Sequence, residues 1–453
     1  MDPVSRTERL DLARARTGGT AAEQLAAAAA RAHAVDDLGA FLAVVDPGRA
    51  DPDAAPEGPL AGIPVAVKDN VDVADLPTSG GTPALHGSRP GRDHHAVARL
   101  RAAGAQVVGK TNLHELAFGI TSNNAAYGPV RNPHDPTRSA GGSSGGSAVA
   151  VATGVVPVAI GTDTGGSVRV PAAHCGVVGY RPTVGRWGGL EGVVGLSGTR
   201  DTVGALTSTV ADLVLLDQVV AGATPATVPH ARVLRLGVPL PGFFDGLAAD
   251  VADAVGRALD RLADAGVELV EVDVDAAHEL DARCGFPIVF HEVLRTLPAY
   301  LGSLPAGPSF DELVAGVVSP DVRGALEHAV GDPVPGSVYA ECLQLREELR
   351  AAYASAHELD GGGRLDALVY PTVPLTAPPL GDDDTTDLGG EQVPVFGTTI
   401  QNTGPGSTAG MPAVSLPCGT GPTGLPVGLS LETLPGEDAA LLAVARRVEQ
   451  LLS

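Results

Sequence analysis

At 453 residues the chain is long enough for one large α/β domain or two ordinary ones. Its 44% apolar and 18% charged residues support a sizeable packed core and exclude wholesale disorder. A net charge of −23 repels phosphate backbones and anionic lipid, so nucleic acid and membranes are not expected partners.

The opening stretch MDPVSRTERLDLARAR has no apolar core of signal-peptide length, and no run of about 18 apolar residues follows. Four widely spaced cysteines (Cys175, Cys284, Cys342, Cys418) contain no CxxC pair and read as reduced, mostly buried thiols of a cytoplasmic protein. Residues from about 5 to 46 read as helical, broken at Gly18-Gly19, with Thr20 and Glu23 spaced as a capping box. A proline-rich connector, DPGRADPDAAPEGP, then leads into the apolar run Ile63–Val67. That run predicts a buried strand with Lys68 at its mouth.

His94–Ala103 predicts a helix stopped by Gly104, and Gln106–Val108 a short strand after it. The small residues of Ser144–Ala152 suit a helix start, and Val155–Ile160 reads as a strand. Thr209–Val220 has helical spacing behind a Thr209 N-cap. Val233–Val238, Asp250–Ala265 and Val267–Val272 form a strand–helix–strand pattern. Residues 277–360 are mostly helical, and an acidic loop (Asp382–Asp384) follows Tyr370-Pro371 and reads as solvated surface. Strands at Ala413–Leu416 and Val427–Leu431 precede a last helix from about Glu437. Helices interleaved with apolar strands predict the α/β class: a large mixed sheet with helices on both sides.

Lys68 and Lys110 are the only lysines; every other basic side chain is arginine, which cannot shed a proton near neutral pH. A solvated lysine titrates near ~10.4 and is a poor base. Burial in an apolar site lowers that value and can make it a general base. Two glycine-rich loops supply hydroxyls: GGSSGGSA (Gly141–Ala148) with Ser143 or Ser144, and GTDTGGSVRVP (Gly161–Pro171) with Ser167 after two glycines. Gly165 and Gly166 permit close backbone approach, so successive N–H groups there could hold an oxyanion. One such donor is typically worth ~10²–10³ in turnover. Base, relay and nucleophile together point to a serine hydrolase without a histidine triad.

Two other patterns invite different chemistry. Gly104–Thr111 spells the phosphate-loop pattern GxxxxGK[ST], and LVLLD (Leu213–Asp217) mimics its acidic strand. A phosphate loop follows a strand and opens a helix, whereas this one follows a helix and is itself strand-like. His114-Glu115 lacks the second histidine of a zinc helix, and His94-His95 lacks a third ligand, so capping or solvated roles are expected.

The segment from Ile63 to about Leu206 resembles the amidase signature family, in the order of its three motifs and the 24-residue step from Ser143 to Ser167. The likeness continues in GKTNLHELAFG, PAAHCGVVGYRPT, DALVYPTVPLTAPPLG, PGSTAGMPAVSLPCG and GLPVGLSLE, covering nearly the whole chain. FGITSNNAAYGPVRNP, TVGRW and PGSTAGMP are most similar to the indoleacetamide and mandelamide hydrolase branch. The resemblance implies a single amidase domain over 1–453, with 60–210 as catalytic core and 225–395 as variable substrate cover. It implies Lys68 as base, Ser143 as bridging serine in a cis peptide, and Ser167 as nucleophile. The backbone of Thr164, Gly165, Gly166 and Ser167 would form the oxyanion hole, supported by Ser144, Asp163 and Arg169.

Phe118, Gly119, Ile120, Thr121 and Trp187 are the candidate substrate pocket. Trp187, behind Gly185 in a motif shared with arylacetamide hydrolases, reads as pocket wall rather than core. His174 stands where many relatives carry phenylalanine, and Tyr180-Arg181 replaces a common Leu-Lys; both are expected clear of the triad. The expected activity is hydrolysis of small aryl or apolar amides through an acyl-enzyme, with esters and carbamates (urethanes) as further substrates. It needs no metal or cofactor, and a monomer or homodimer suffices. Rival readings are the amidase subunit of a glutamine-dependent amidotransferase and a catalytically silent, nucleotide-binding relative.

Overall fold

The structure, a computed structural model, describes residues 10–15, 19–49, 57–229, 232–274, 276–359 and 362–453. The expectations for residues 5–9, for residues 16–18 and for half of the proline-rich connector (50–56) lie outside these.

In chain order come α1 (Leu12–Ala15), α2 (Ala21–Ala34), β1 (Phe41–Val44), β2 (Pro64–Lys68), α3 (His95–Ala102) and β3 (Gln106–Thr111). A small pair, β4 (Asn123–Asn124) and β5 (Gly128–Pro129), leads to α4 (Gly145–Ala152) and β6 (Val158–Asp163). Next are α5 (Arg169–Cys175), β7 (Val178–Arg181), β8 (Thr202–Thr207), α6 (Val210–Ala221), β9 (Arg235–Pro239), α7 (Ala249–Asp264) and β10 (Glu268–Val272). Four helices follow: α8 (Ala276–Ser303), α9 (Phe310–Gly316), α10 (Pro320–Gly331) and α11 (Gly336–Ala356). After β11 (Ala367–Pro371) and the hairpin β12 (Thr385–Leu388) and β13 (Glu391–Pro394) come α12 (Val395–Ile400) and α13 (Gly404–Ala409). The chain closes with β14 (Ala413–Thr420), β15 (Pro426–Glu432) and α14 (Asp438–Leu452).

Eleven strands form one mixed sheet in the order β1-β3-β2-β6-β8-β7-β14-β15-β11-β9-β10. β2 runs parallel to both β3 and β6, and β9 parallel to both β10 and β11; the remaining neighbours are antiparallel. This is the large mixed sheet that interleaved helices and strands predicted. Along β2 the side chains alternate: Val65 and Val67 join one core cluster, Ala66 a second on the opposite face. Both faces are dry, which is why the strand is an unbroken apolar run rather than an alternating one. Residues of α3, α6, α7 and α14 build the first cluster, those of α2, α4 and α5 the second, and α8 packs with α11 in a third.

Local signals act as their chemistry dictates. Thr20 and Glu23 form both halves of the capping box on α2, and the Thr209 side chain accepts from the Asp212 N–H at the start of α6. His94 caps α3 by accepting from the Ala96 N–H. Two elements differ from expectation. The helical reading to residue 46 fails at β1, because Gly39 in the left-handed region (φ +65°) turns the chain into an edge strand beside β3. A short apolar run such as Phe41–Val45 has too few residues to reveal its period. β6 starts at Val158 rather than Val155, because the Val155 and Val156 N–H groups both donate to Ala150 O, closing the end of α4. No helix of the described residues is long and apolar enough to cross a membrane.

Candidate active site

Lys68 is the last residue of β2 and fully buried. Its Nζ lies 2.7 Å from Ser143 Oγ and 2.8 Å from Thr162 Oγ1 on neighbouring β6. Burial pushes the Lys68 ammonium down to about 7, against the opposing attraction of Asp163 and Asp201. Its hydrogen-bond partners are hydroxyls, so nothing adjacent holds the proton on. Asn70 steadies the arrangement by donating from Nδ2 to Thr162 Oγ1 (3.1 Å) and Val194 O (3.2 Å).

Lys110 is the contrasting case. It is equally buried, but Nζ forms an ion pair with Asp69 at 3.2 Å and donates to Thr78 Oγ1 (2.9 Å) and Pro77 O (3.0 Å). The phosphate-loop match therefore ends inside the core: Gly104 terminates a helix, Gln106–Thr111 is strand β3, and the lysine is already paired. LVLLD lies within α6.

The glycine–serine loop ahead of α4 carries the second group. The Gly142–Ser143 peptide is cis, and Ser143 O accepts from the His114 N–H (3.2 Å) and Ser122 Oγ (3.3 Å). Ser143 and Ser144 differ in their partners. Ser144 Oγ is occupied with β6, donating to Thr162 O (3.2 Å) and accepting the Thr162 N–H (3.3 Å), whereas Ser143 meets the lysine. Gly146 has no room for a Cβ, which would clash with the backbones of Ala40 and Asn112. That close approach is what the glycine provides.

Ser167 follows β6 on the second loop, and its carbonyl accepts the Ser144 N–H at 3.1 Å, bringing the two serine loops together. Asp163 organises this loop from beneath. Arg169 Nε donates to Oδ2 (3.0 Å), Arg169 Nη2 to Oδ1 (3.1 Å) and Arg181 Nη1 to Oδ1 (3.0 Å), all fully buried. Burial alone would raise the Asp163 carboxyl, but the two guanidiniums overcome it and hold the group well below the usual carboxylate range. Arg169 Nη2 also reaches Ser407 Oγ (2.6 Å), and Arg181 Nε reaches Met411 O (3.2 Å), so the distant PGSTAGMP motif forms the backing of this loop. Arg181, the replacement expected to stand clear, is thus one step from the site: it holds the carboxylate that shapes the Ser167 loop.

Of the four expected oxyanion donors, Gly166 is otherwise engaged. Its N–H donates to Asp163 Oδ1 at 2.8 Å, because φ of +136° turns that peptide inward, with Thr403 Oγ1 occupying the space a Cβ would need. Thr403 Oγ1 in turn donates to Gly165 O at 2.6 Å. Thr164, Gly165 and Ser167 line the cavity above the loop.

The space over the loop, about 410 Å³ including open solvent at its mouth, is lined mostly by apolar side chains. Phe118, Gly119 and Ile120 lie on its wall. Three of the chain's eight phenylalanines converge there, Phe118 being joined by Phe286 of α8 and Phe396 of α12, whose rings stand 5.8 Å apart. Leu196, Val289 and Ile400 continue the apolar lining, and Arg200 supplies a cation. Phe286, Phe396 and Arg200 were not among the sequence candidates, for they come from segments with no motif.

Two candidates lie elsewhere. Trp187 is fully buried in the main core, edge-on to Tyr180 with centroids 5.6 Å apart, and its Nε1 donates to Asp217 Oδ1 at 2.9 Å. Its indole N–H needed a buried acceptor and α6 supplies one, so it is core rather than pocket wall. Thr121 points away from the cavity and donates to Asp383 Oδ1 at 3.2 Å, tying the acidic 380s loop to the site loop. His114 is no ligand either: its Nε2 pairs with Asp321 Oδ2 at 2.8 Å.

Comparison with known proteins agrees with this architecture. The chain matches the Amidase family over residues 43–442. It is 41% identical to an indoleacetamide hydrolase of Agrobacterium vitis over 397 residues, spanning 87% of this chain and 84% of that protein. A mandelamide hydrolase of Pseudomonas putida is also 41% identical, over 412 residues, 87% of this chain and 79% of the relative. Among solved structures, a crystal structure of an amidase superposes with a TM-score of 0.85 at 36% identity, covering 98% of this chain and all of the other. The chain belongs to the amidase family and is a hydrolase of amide C–N bonds.

Proposed function

We propose that the chain hydrolyses small amides with an aryl or apolar acyl group through an acyl-enzyme on Ser167. The observation that carries this reading is the 2.7 Å approach of Lys68 Nζ to Ser143 Oγ beneath a phenylalanine-lined cavity that includes Ser167. Neutral Lys68 accepts the Ser143 proton while Ser143 takes the proton of Ser167, whose oxygen bonds to the carbonyl carbon. The N–H groups of Gly165 and Ser167 receive the developing oxyanion. The relay then returns a proton to the nitrogen as the C–N bond breaks. Water repeats the sequence on the acyl-serine, releasing the acid and restoring Lys68, Ser143 and Ser167.

Esters and carbamates present a similarly polarised carbonyl and are proposed as further substrates, with the cavity deciding among them. Residues 225–395 contribute Phe286 and Val289 to its wall, in keeping with a substrate cover. Free and mostly buried thiols fit a reducing, cytoplasmic setting. The test is phenylacetamide hydrolysis together with labelling by a serine-reactive fluorophosphonate. Wild type turns over and gains the adduct on Ser167, and Ser167→Ala does neither; undiminished turnover in that variant refutes the assignment.

A further inference from the structure

Arg200 is the cation among the residues lining the cavity. Only 4% of it is exposed, yet it differs from the other two arginines of the region. Arg169 and Arg181 are paired with Asp163, whereas no carboxylate among the described residues forms an ion pair with Arg200. Its Nε donates to Thr164 O at 3.1 Å, which pins the guanidinium to the loop ahead of Ser167. Its two Nη groups make no hydrogen bond to the described residues. Asp281 Oδ1 stands nearby, it and Nη1 both crowding the place a Cβ on Gly285 would take, but outside ion-pair distance; the Nη edge, bound to no acceptor, has the fork geometry that donates bidentately to a carboxylate. The position is close to the chemistry: Nη2 lies 3.5 Å from where a Cβ on Gly165 would stand, two residues before Ser167. Phenylalanines line the same cavity. An acyl group that satisfies both the rings and the guanidinium carries an apolar substituent and an anion near the scissile carbonyl.

We propose that Arg200 is a specificity-determining residue that binds a carboxylate on the carbon next to the scissile carbonyl. The preferred substrates are then monoamides of short dicarboxylic acids bearing an aryl or alkyl group, a statement that rests on the amide-hydrolase reading above. A charged hydrogen-bonded contact of this kind is worth roughly ten- to hundredfold in discrimination.

The experiment compares kcat/KM for phenylmalonamate and phenylacetamide in wild type, Arg200→Gln and Arg200→Lys. A carboxylate slows attack on its neighbouring carbonyl in every variant, so the readout is the change in the ratio of the two substrates. The ratio falls by about ten- to hundredfold in Arg200→Gln and less in Arg200→Lys. A ratio unchanged within about twofold overturns the proposal, as does an equal loss on both substrates, which would assign Arg200 to the shared carbonyl. Calorimetric binding of phenylmalonate and phenylacetate to wild type reads the same contact without turnover or a folded variant: phenylmalonate binds about tenfold tighter or more, and equal or weaker binding overturns the proposal. Failure of the function reading looks different, with no amide turnover and no fluorophosphonate adduct, while the binding comparison still judges Arg200.

Discussion

Lys68 Nζ and Ser143 Oγ meet at 2.7 Å across 75 residues of sequence, and both residues are fully buried. Their contact joins the end of β2 to the loop before α4, so the position of the proposed base is set by sheet register.

The pH profile comes first. Burial brings the Lys68 ammonium down to about 7, so the neutral base accumulates above that pH. kcat/KM for phenylacetamide is expected to climb with unit slope and level off through about pH 7, the group titrating in the free enzyme. Lys68→Arg, which stays charged, is expected to lose at least about 10³-fold at every pH. A flat wild-type profile from about pH 6 to 8 would contradict the role of Lys68.

Stability should separate the two lysines. Folded Lys68 loses its proton near pH 7, but in the unfolded chain it does so near ~10.4. Between those values the unfolded state holds more protons, so stability contributed by this group rises with pH and is lowest below about 7. Replacing it by methionine should abolish activity yet flatten that rise, measured as the Tm difference between about pH 7 and pH 9.5. Lys110→Met instead strands buried Asp69 and is expected to cost about 3–5 kcal/mol. Equal losses of Tm in the two variants would defeat the contrast.

Asp163→Asn leaves Arg169 and Arg181 buried without their shared carboxylate, and a loss of about 3–5 kcal/mol is expected. Because Asp163 attracts the Lys68 proton, its removal should also move the acid limb of the pH profile to lower pH. Guanidinium unfolding and a pH–rate series check both; an acid limb that moves upward would contradict the electrostatic account.

The aromatic wall predicts a selective defect. Phe286→Ala and Phe396→Ala each remove a ring from the cavity, worth about 1.5–3 kcal/mol of burial to an aryl acyl group. kcat/KM for phenylacetamide should fall at least about tenfold further than for acetamide. Parallel losses on both substrates would mean that these rings shape the fold rather than hold the acyl side.

What the chain discloses before folding follows a physical division. The proposed reacting groups sit on contiguous motifs whose glycines are dictated by backbone geometry: Gly146 by an approach too close for a Cβ, Gly166 by its φ of +136°. Such constraints are local, so they are legible. The cavity wall is assembled from α8, α12 and the loop around Phe118, three remote segments whose only demand is apolar bulk, and nothing local marks Phe286 or Phe396 as partners. Trp187 differs for the opposite reason: a shared motif points it to the site, while its N–H partner, Asp217, lies 30 residues on in α6, where nothing local marks it as that partner. Arg181 makes no hydrogen bond to Lys68, Ser143 or Ser167, and its pairing with Asp163 is visible only in three dimensions.

The proposed reacting groups are borne by the central sheet and its immediate loops, whereas Phe286 and Phe396 come to the cavity from helices α8 and α12. Tooling and grip are therefore separable. Exchanging α8 and α12 for those of another member of the same fold should retarget the catalyst while leaving its engine untouched.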